Sequence, residues 1–203
     1  MLHVKTFPAL QDYTDIWERM KTFTDKRTKE TPDELWVLQH YPVYTQGQNG
    51  KPEYLLNTNQ IPVVHSDRGG QITYHGPGQL IIYLLIDLER LQWTVRDLVS
   101  LCEKAVIATL ADQGIIANAR SDAPGVYVDG AKIASVGLRV RRGCSYHGLA
   151  FNLNMDMRPF EGIVPCGLNG IRMIQLEDLL REINTDAVTA CLIEHIQQAL
   201  QGN

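Results

Sequence analysis

Cys166 and Lys132 are the two residues from which nucleophilic chemistry can most readily be built. Cys166 stands in Val-Pro-Cys-Gly-Leu, where Pro165 stiffens the approach and Gly167 clears room behind the sulfur. A loop thiol framed this way is either a presented nucleophile or a buried loop cysteine. It needs a reason to ionise, because at a reference pKa of about 8.5 only a few per cent is thiolate at neutral pH. An ammonium group about 4 Å away, at an effective dielectric near 20, contributes roughly 4 kcal/mol before solvent discounting. Half of that lowers the thiol pKa by more than about one unit. Lys132 is the candidate cation. It lies just past a predicted hairpin turn, and period-two alternation places it on one strand face with Ala134, Val136 and Leu138. It is either a functional charge on an apolar face or a stem lying along the surface with its head in water.

Other candidates are weaker. Residues 125–132, GVYVDGAK, approach a phosphate loop but lack the closing Lys-Ser/Thr pair and sit on a hairpin, with no helix N-terminus behind them. Residues 68–80, RGGQITYHGPGQL, contain no GxGxxG. They still concentrate donors, acceptors and glycines that let a backbone approach something closely, and a turn with ordinary capping polars fits them equally well. The six histidines include no HExxH, and no His/Cys spacing suits zinc, so no metal is expected. His75 and His147 each stand in Tyr-His-Gly; spacing alone does not say whether the two tripeptides share a pocket. Cys102 and Cys191 fall on apolar helix stripes and read as packing residues. Cys144, in Arg-Arg-Gly-Cys-Ser, has no evident role.

These residues need elements to hold them. Asp12 to Lys26 is helix-like, with Tyr13, Ile16, Trp17, Met20 and Phe23 on one stripe. Strands are expected at 34–41, 62–66 and 79–88, the last apolar on both faces as a central strand would be. Thr94, with Asp97 as capping partner, opens a helix whose buried side is expected to run through Val95, Leu98, Leu101, Cys102, Ala105, Val106, Thr109 and Leu110. Asp129-Gly130 between Val126–Val128 and Ala131–Ile133 predicts a two-residue type I′ hairpin. Another strand is expected over 146–155, and helices over 176–183 and 186–201. The order favours an α+β class with a mixed or antiparallel sheet, and no linker or repeat divides residues 1–203, which read as a single domain.

Composition narrows the function classes. Nineteen Lys plus Arg against twenty-three Asp plus Glu give a net charge of -4, a poor match to nucleic-acid binding by counterion release. The longest apolar run, Leu80 to Ile86, is far short of the ~20 residues that span a bilayer. With no signal-peptide core and four cysteines without a CxxC, the expected setting is reducing and cytoplasmic, with no membrane partner.

Three stretches taken together, RGGQITYHGPGQ (68–79), KIASVGLRVRRGCSYHGLAFNLNMD (132–156) and PCGL (165–168), closely resemble the octanoyltransferase family, also called lipoate–protein ligase B. The resemblance extends from about Leu35 to Leu168. It implies a mixed β-sheet flanked by helices, as in the biotin and lipoate ligases. It also implies transfer of an octanoyl group from octanoyl-acyl carrier protein to a lysine on lipoyl domains of 2-oxoacid dehydrogenases or the glycine cleavage H protein. By the same resemblance Cys166 is the acyl-thioester nucleophile and Lys132 lowers its pKa. Arg68, Gly69, Gly70, Gln71, Ile72, Thr73, Tyr74 and His75 line the acyl pocket. Ser135, Val136 and Gly137, with Gly148, Leu149 and Ala150, add substrate contacts.

The chemistry then expected has Lys132 exchanging a proton with the departing thiol and the incoming amine, and backbone N–H groups near Cys166, Gly167 first, holding the oxyanion. Because the acyl group arrives activated, no ATP or other cofactor is required. Lys132, Arg139, Arg141 and Arg142, with no acidic residue between Gly130 and Met155, form a positive stretch suited to an acidic carrier. Two rivals stand beside this reading. One is an ATP-dependent lipoate or biotin ligase on the same fold, which leaves Cys166 idle. The other is a non-catalytic acyl-binding module.

Overall fold

The apolar run at Gln79–Leu85 is a strand buried along its whole length. The computed structural model describes residues 2–165 and 171–202. In chain order its strands are β1 (Leu2–Thr6), β2 (Asp33–Leu38), β3 (Val43–Gln46), β4 (Val63–His65), β5 (Ile72–His75), β6 (Gln79–Leu85), β7 (Asn118–Ala119), β8 (Gly125–Val128), β9 (Ala131–Arg141) and β10 (Cys144–Asn152). The helices are α1 (Tyr13–Lys26), α2 (Leu88–Leu91), α3 (Val95–Ala111) and α4 (Thr185–Gln201). A seven-stranded sheet runs β1-β2-β6-β10-β9-β8-β7, and a three-stranded one runs β4-β3-β5. β1 is parallel to β2 and β4 to β3, while the remaining pairs are antiparallel, so the sheet is mixed, as the α+β reading expects.

Both faces of the large sheet are covered, which explains why β6 carries no polar alternation. On one side Leu35, Ile82, Leu84, Leu149 and Phe151 meet Leu98 and Val106 of α3 and Leu192 and Ile196 of α4. On the other side Trp36, Ile81, Tyr83, Tyr146 and Ala150 meet Ile16 and Met20 of α1. Truncating a fully buried member such as Ile82 or Leu84 to alanine costs about 2–5 kcal/mol.

Local signals did what their chemistry requires. Asp12 caps α1 by accepting from Asp15 N at 3.0 Å. The Thr94–Asp97 capping box forms in both directions, at 2.8 and 3.4 Å. Asp129 and Gly130 turn the β8–β9 hairpin with φ of 49° and 77°, both in the positive region a type I′ turn needs. Among the described residues no helix is long and apolar enough to cross a membrane.

Three expectations are corrected. Val95, expected on the buried side of α3, is exposed, because it is the first helical residue and the buried stripe begins one turn later at Leu98. The segment expected as a helix over 176–183 holds only a 3-10 turn, Leu176–Asp178, because Asn184 caps α4 (Ala187 N to Asn184 Oδ1, 3.0 Å) and leaves too little chain to nucleate a separate helix. Lys132 does not share a face with Ala134, Val136 and Leu138, which belong with the α3 core. Tyr127 pairs with Lys132 and Val126 with Ala134, so a bulge inserts Ile133 as an extra residue. Ile133 and Ala134 both enter the core beneath α3, and Lys132 is left in line with Ser135 on the opposite face.

Candidate active site

Between β9–β10 and the segment that bears β5 lies a cavity of about 370 Å³, within the size range of small-molecule pockets, lined also by Tyr13 of α1, Ile81 and Tyr83 of β6, and Val95 and Val99 of α3. Its floor is β9 and β10. Gly148 of β10 is opposite Gly137 of β9 and Tyr83 of β6. A Cβ on Gly148 would lie 2.1 Å from the Ile82 carbonyl, so the close approach of β6 requires glycine there. The roof is the Arg68–Thr73 segment, tied down where Gly69 N donates to Leu138 O at 2.8 Å.

Lys132 is 1% exposed, which removes the reading in which its head lies in water. Its Nζ sits 5.4 Å from the centre of the Tyr127 ring. Across the strand stands Gly125, with φ of 139°; a Cβ there would fall 2.5 Å from Lys132 Cε. Glycine at this position therefore leaves the lysine stem its space. Lys132 also pairs with the chain that returns after residue 170. Its N–H donates to Arg172 O at 2.8 Å, and its carbonyl accepts from Ile174 N at 2.9 Å.

Cys166 and Gly167 lie outside the described residues. Pro165, immediately before, lines the cavity, as does Met173 after it. Of the other expected site residues, Arg68, Gly69, Gly70, Gln71, Ile72, Thr73, His75, Lys132, Ser135, Val136, Gly137, Gly148, Leu149 and Ala150 all line the same cavity. Tyr74 does not. It packs against Tyr44 and Phe160 in a separate cluster, where burial raises its hydroxyl to about 12.

Arg68 is a staple for the roof. Its Nε donates to Thr45 Oγ1 at 3.0 Å, Nη1 to Gly69 O at 2.9 Å and Nη2 to Gln71 O at 2.7 Å. From there a chain of donors runs inward. Thr45 Oγ1 donates to His75 Nε2 (3.3 Å), His75 Nδ1 to Gln79 Oε1 (2.7 Å), Gln79 Nε2 to Asn152 Oδ1 (2.9 Å) and Asn152 Nδ2 to Ile174 O (2.9 Å). Ile174 is the residue whose N–H meets Lys132, so the roof and the lysine are joined by one satisfied polar network.

The two Tyr-His-Gly tripeptides do converge. His75 and His147 both line the cavity, with ring centres 6.0 and 6.3 Å from Tyr13. His147 adopts a φ of 60°, an uncommon backbone state for a non-glycine residue. Its Nε2–H donates to Asp67 Oδ1 at 3.1 Å, and Asp67 also accepts from Trp17 Nε1 (2.9 Å) and from the Tyr146 hydroxyl. Burial pushes the Asp67 carboxyl up, but the hydrogen bonds from His147, Tyr146 and Trp17 outweigh it and bring it down to about 2. Burial lowers all three neighbouring imidazoles: His40 to about 4, His75 well below its ordinary value, and His147 in the same direction. They are neutral at neutral pH.

Sequence reasoning missed Tyr13, Asp67, Tyr83 and Pro124. Tyr13 sat on a helix stripe that reads as core, and Tyr83 sat inside an apolar run; nothing in their spacing marks a cavity wall. The positive stretch is partly neutralised, since Arg141 Nε pairs with Asp25 Oδ1 of α1 at 3.0 Å. Cys102 is fully buried, and Cys144 is buried beside the Asp87 bridge.

Residues 12–197 match the model of the lipoyl protein ligase A/B catalytic domain. The chain is 57% identical over 198 residues to an octanoyltransferase of Haemophilus influenzae (strain PittEE), covering 96% of this chain and 93% of that one. Its fold is similar to a lipoate-protein ligase A bound with ATP (TM-score 0.78, 15% identity, 98% of this chain and 86% of that one). It is also similar to a bipartite lipoate protein ligase of Thermoplasma acidophilum solved in a study of that enzyme and its E2 lipoyl domain (TM-score 0.69, 17% identity, 98% and 83%).

Proposed function

The chain belongs to the lipoyl protein ligase A/B catalytic domain family and transfers octanoyl groups in lipoylation, and we propose that it does so through an acyl-thioester on Cys166 with Lys132 as its ionic partner. One observation carries this reading. Lys132 is buried in the cavity wall where the two flanks of Cys166 arrive, Pro165 lining the same cavity and Arg172 and Ile174 paired with the lysine backbone.

The steps balance without a nucleotide. The Cys166 thiolate attacks the donor thioester; a C–S bond to Cys166 forms, the C–S bond to the carrier's pantetheine sulfur breaks, and Lys132 protonates the departing sulfur. The neutral amine of an acceptor lysine attacks second. A C–N bond forms, Cys166 leaves as thiolate, and the neutral Lys132 takes up the amine's surplus proton. The Gly167 N–H is the oxyanion donor in this scheme. Ile81, Val136 and Leu149 give the acyl tail an apolar seat, while the Arg68–Thr73 roof, His75 and Ser135 fix its orientation. Neutral His75 and His147 leave the proton transfers to Lys132.

The donor in this reading is octanoyl-acyl carrier protein. The acceptors are lipoyl domains of 2-oxoacid dehydrogenases and the glycine cleavage H protein, and the setting is cytoplasmic. The chain serves as one catalytic domain. Intact-mass measurement after mixing with octanoyl-acyl carrier protein, without acceptor or ATP, tests the scheme. One octanoyl group should appear on the chain, disappear on adding a lipoyl domain, and be absent from Cys166→Ser. Turnover that demands ATP and leaves the chain's mass unchanged would favour the ligase chemistry instead.

A further inference from the structure

Far from the cavity, at the C-terminal end of α3, three side chains of ligand type converge. Cys191 and His195 are one helical turn apart on α4, so they project from the same side. Asp112, the C-cap residue of α3, faces them across the helix–helix contact. The Cys191 thiol donates to Asp112 Oδ2 at 3.1 Å, and His195 Nε2–H donates to the same oxygen at 2.7 Å. The three ligand atoms all lie within 4.8 Å of one another.

We propose that Asp112, Cys191 and His195 form a binding site for a zinc-class divalent ion that clips α4 onto the end of α3. The donor set decides the class. One sulfur, one imidazole nitrogen and one carboxylate oxygen suit zinc and its neighbours in the first transition row, whereas calcium and magnesium take oxygen ligands. Tetrahedral zinc with ordinary bond lengths separates adjacent ligand atoms by about 3.4–3.6 Å. The present hydrogen-bonded spacings are slightly tighter, and small side-chain rotations open them. Asp112 is exposed and Cys191 and His195 half-buried, so an ion has an entry path and water can take the fourth position.

Binding balances simply. The thiol loses its proton to solvent as the sulfur–metal bond forms. His195 ligates through Nε2 as the Nδ1–H tautomer, so the proton that bonded Asp112 is given up from Nε2 to solvent and Nδ1, taking one up from solvent, carries the ring proton. Both hydrogen bonds to Asp112 are replaced by bonds to the ion. The spacing of Cys191 and His195 was visible in the sequence, but the third ligand came from 79 positions upstream, and the stripe read as packing.

The test uses the full chain stripped with a chelator and titrated with cobalt(II), then with zinc(II). One cobalt per chain should produce a sulfur-to-cobalt charge-transfer band with tetrahedral d–d bands, and zinc should displace it and raise Tm. Cys191→Ser should lose the charge-transfer band, His195→Gln should weaken cobalt binding at least tenfold, and Cys166→Ser should keep the full spectrum. All three variants, metal-free, should match the metal-free wild type in far-ultraviolet circular dichroism, and the α4 variants should retain octanoyl transfer. No band at one equivalent, or a band that survives Cys191→Ser and vanishes with Cys166→Ser, would overturn the proposal.

Discussion

The backbone N–H of Lys132 is bonded to the carbonyl of Arg172 at 2.8 Å, so the lysine is fixed to the chain that returns just after Cys166. The bond ties a buried lysine to Arg172, within the described chain that resumes at residue 171. It also explains why changes to the strand beneath Lys132 should be felt in the chemistry.

Gly125→Ala is the sharpest such change. The new Cβ would lie 2.5 Å from Lys132 Cε and 2.3 Å from the Ala134 carbonyl, at a backbone φ that disfavours any side chain. Overpacking and strain together should cost about 1–3 kcal/mol. Octanoyl transfer should fall further than that loss of folded protein accounts for, since the lysine head must move. Urea unfolding with kcat on the folded fraction checks this; a stable variant with wild-type kcat would show that the lysine position is not critical.

Acid should act in two windows. His40 has a folded pKa lowered to about 4 by burial, so the stability its neutral form contributes is complete above the unfolded value of about 6.5 and is lost as pH falls toward 4. Asp67, lowered to about 2, contributes stability present above its unfolded value near 3.8 and lost as pH falls through 2. For this partly exposed carboxylate the amount is on the order of 1–2 kcal/mol after screening. Asp67→Asn should therefore be less stable than wild type at pH 7, with the gap closing below about pH 3. A gap of constant size down to pH 2 would remove the carboxylate's charge from the account.

Carrier engagement should depend on the arginine hairpin unequally. Arg141 already faces Asp25 at 3.0 Å, whereas the Arg142 guanidinium reaches only the Asp25 backbone carbonyl, also at 3.0 Å. Arg142→Glu should thus raise the KM for octanoyl-acyl carrier protein several-fold at low ionic strength, more than Arg141→Glu, and the effect should shrink with added salt. The double substitution should lose most. A loss independent of salt would remove electrostatic steering from the account.

Local chemistry made much of this legible. The Asp-Gly hairpin, the Thr94–Asp97 cap and the both-faces-apolar β6 depend on neighbouring residues, and each formed where its sequence required. The bulge at Ile133 was not legible, because a one-residue insertion is decided by pairing with β8 and not by β9's own pattern. The same holds for Asp67, which looks like an ordinary loop carboxylate until Trp17, Tyr146 and His147 are brought to it. Tyr74 had the right neighbours in sequence, but alternation along β5 turns it toward Tyr44 and Phe160. The long shared motifs located the cavity wall as a whole; which atoms face inward was settled by register.

The account's central claim, that Lys132 keeps the Cys166 sulfur ionised, is tested most directly by site-resolved alkylation of Cys166 against pH in wild type and in Lys132→Met, which preserves the buried stem. Wild type should show an inflection well below the ordinary thiol value of about 8.5, and the variant should show one at or above it, with both acyl transfers slowed ~10²–10⁴-fold. Identical alkylation profiles for the two proteins would contradict the claim.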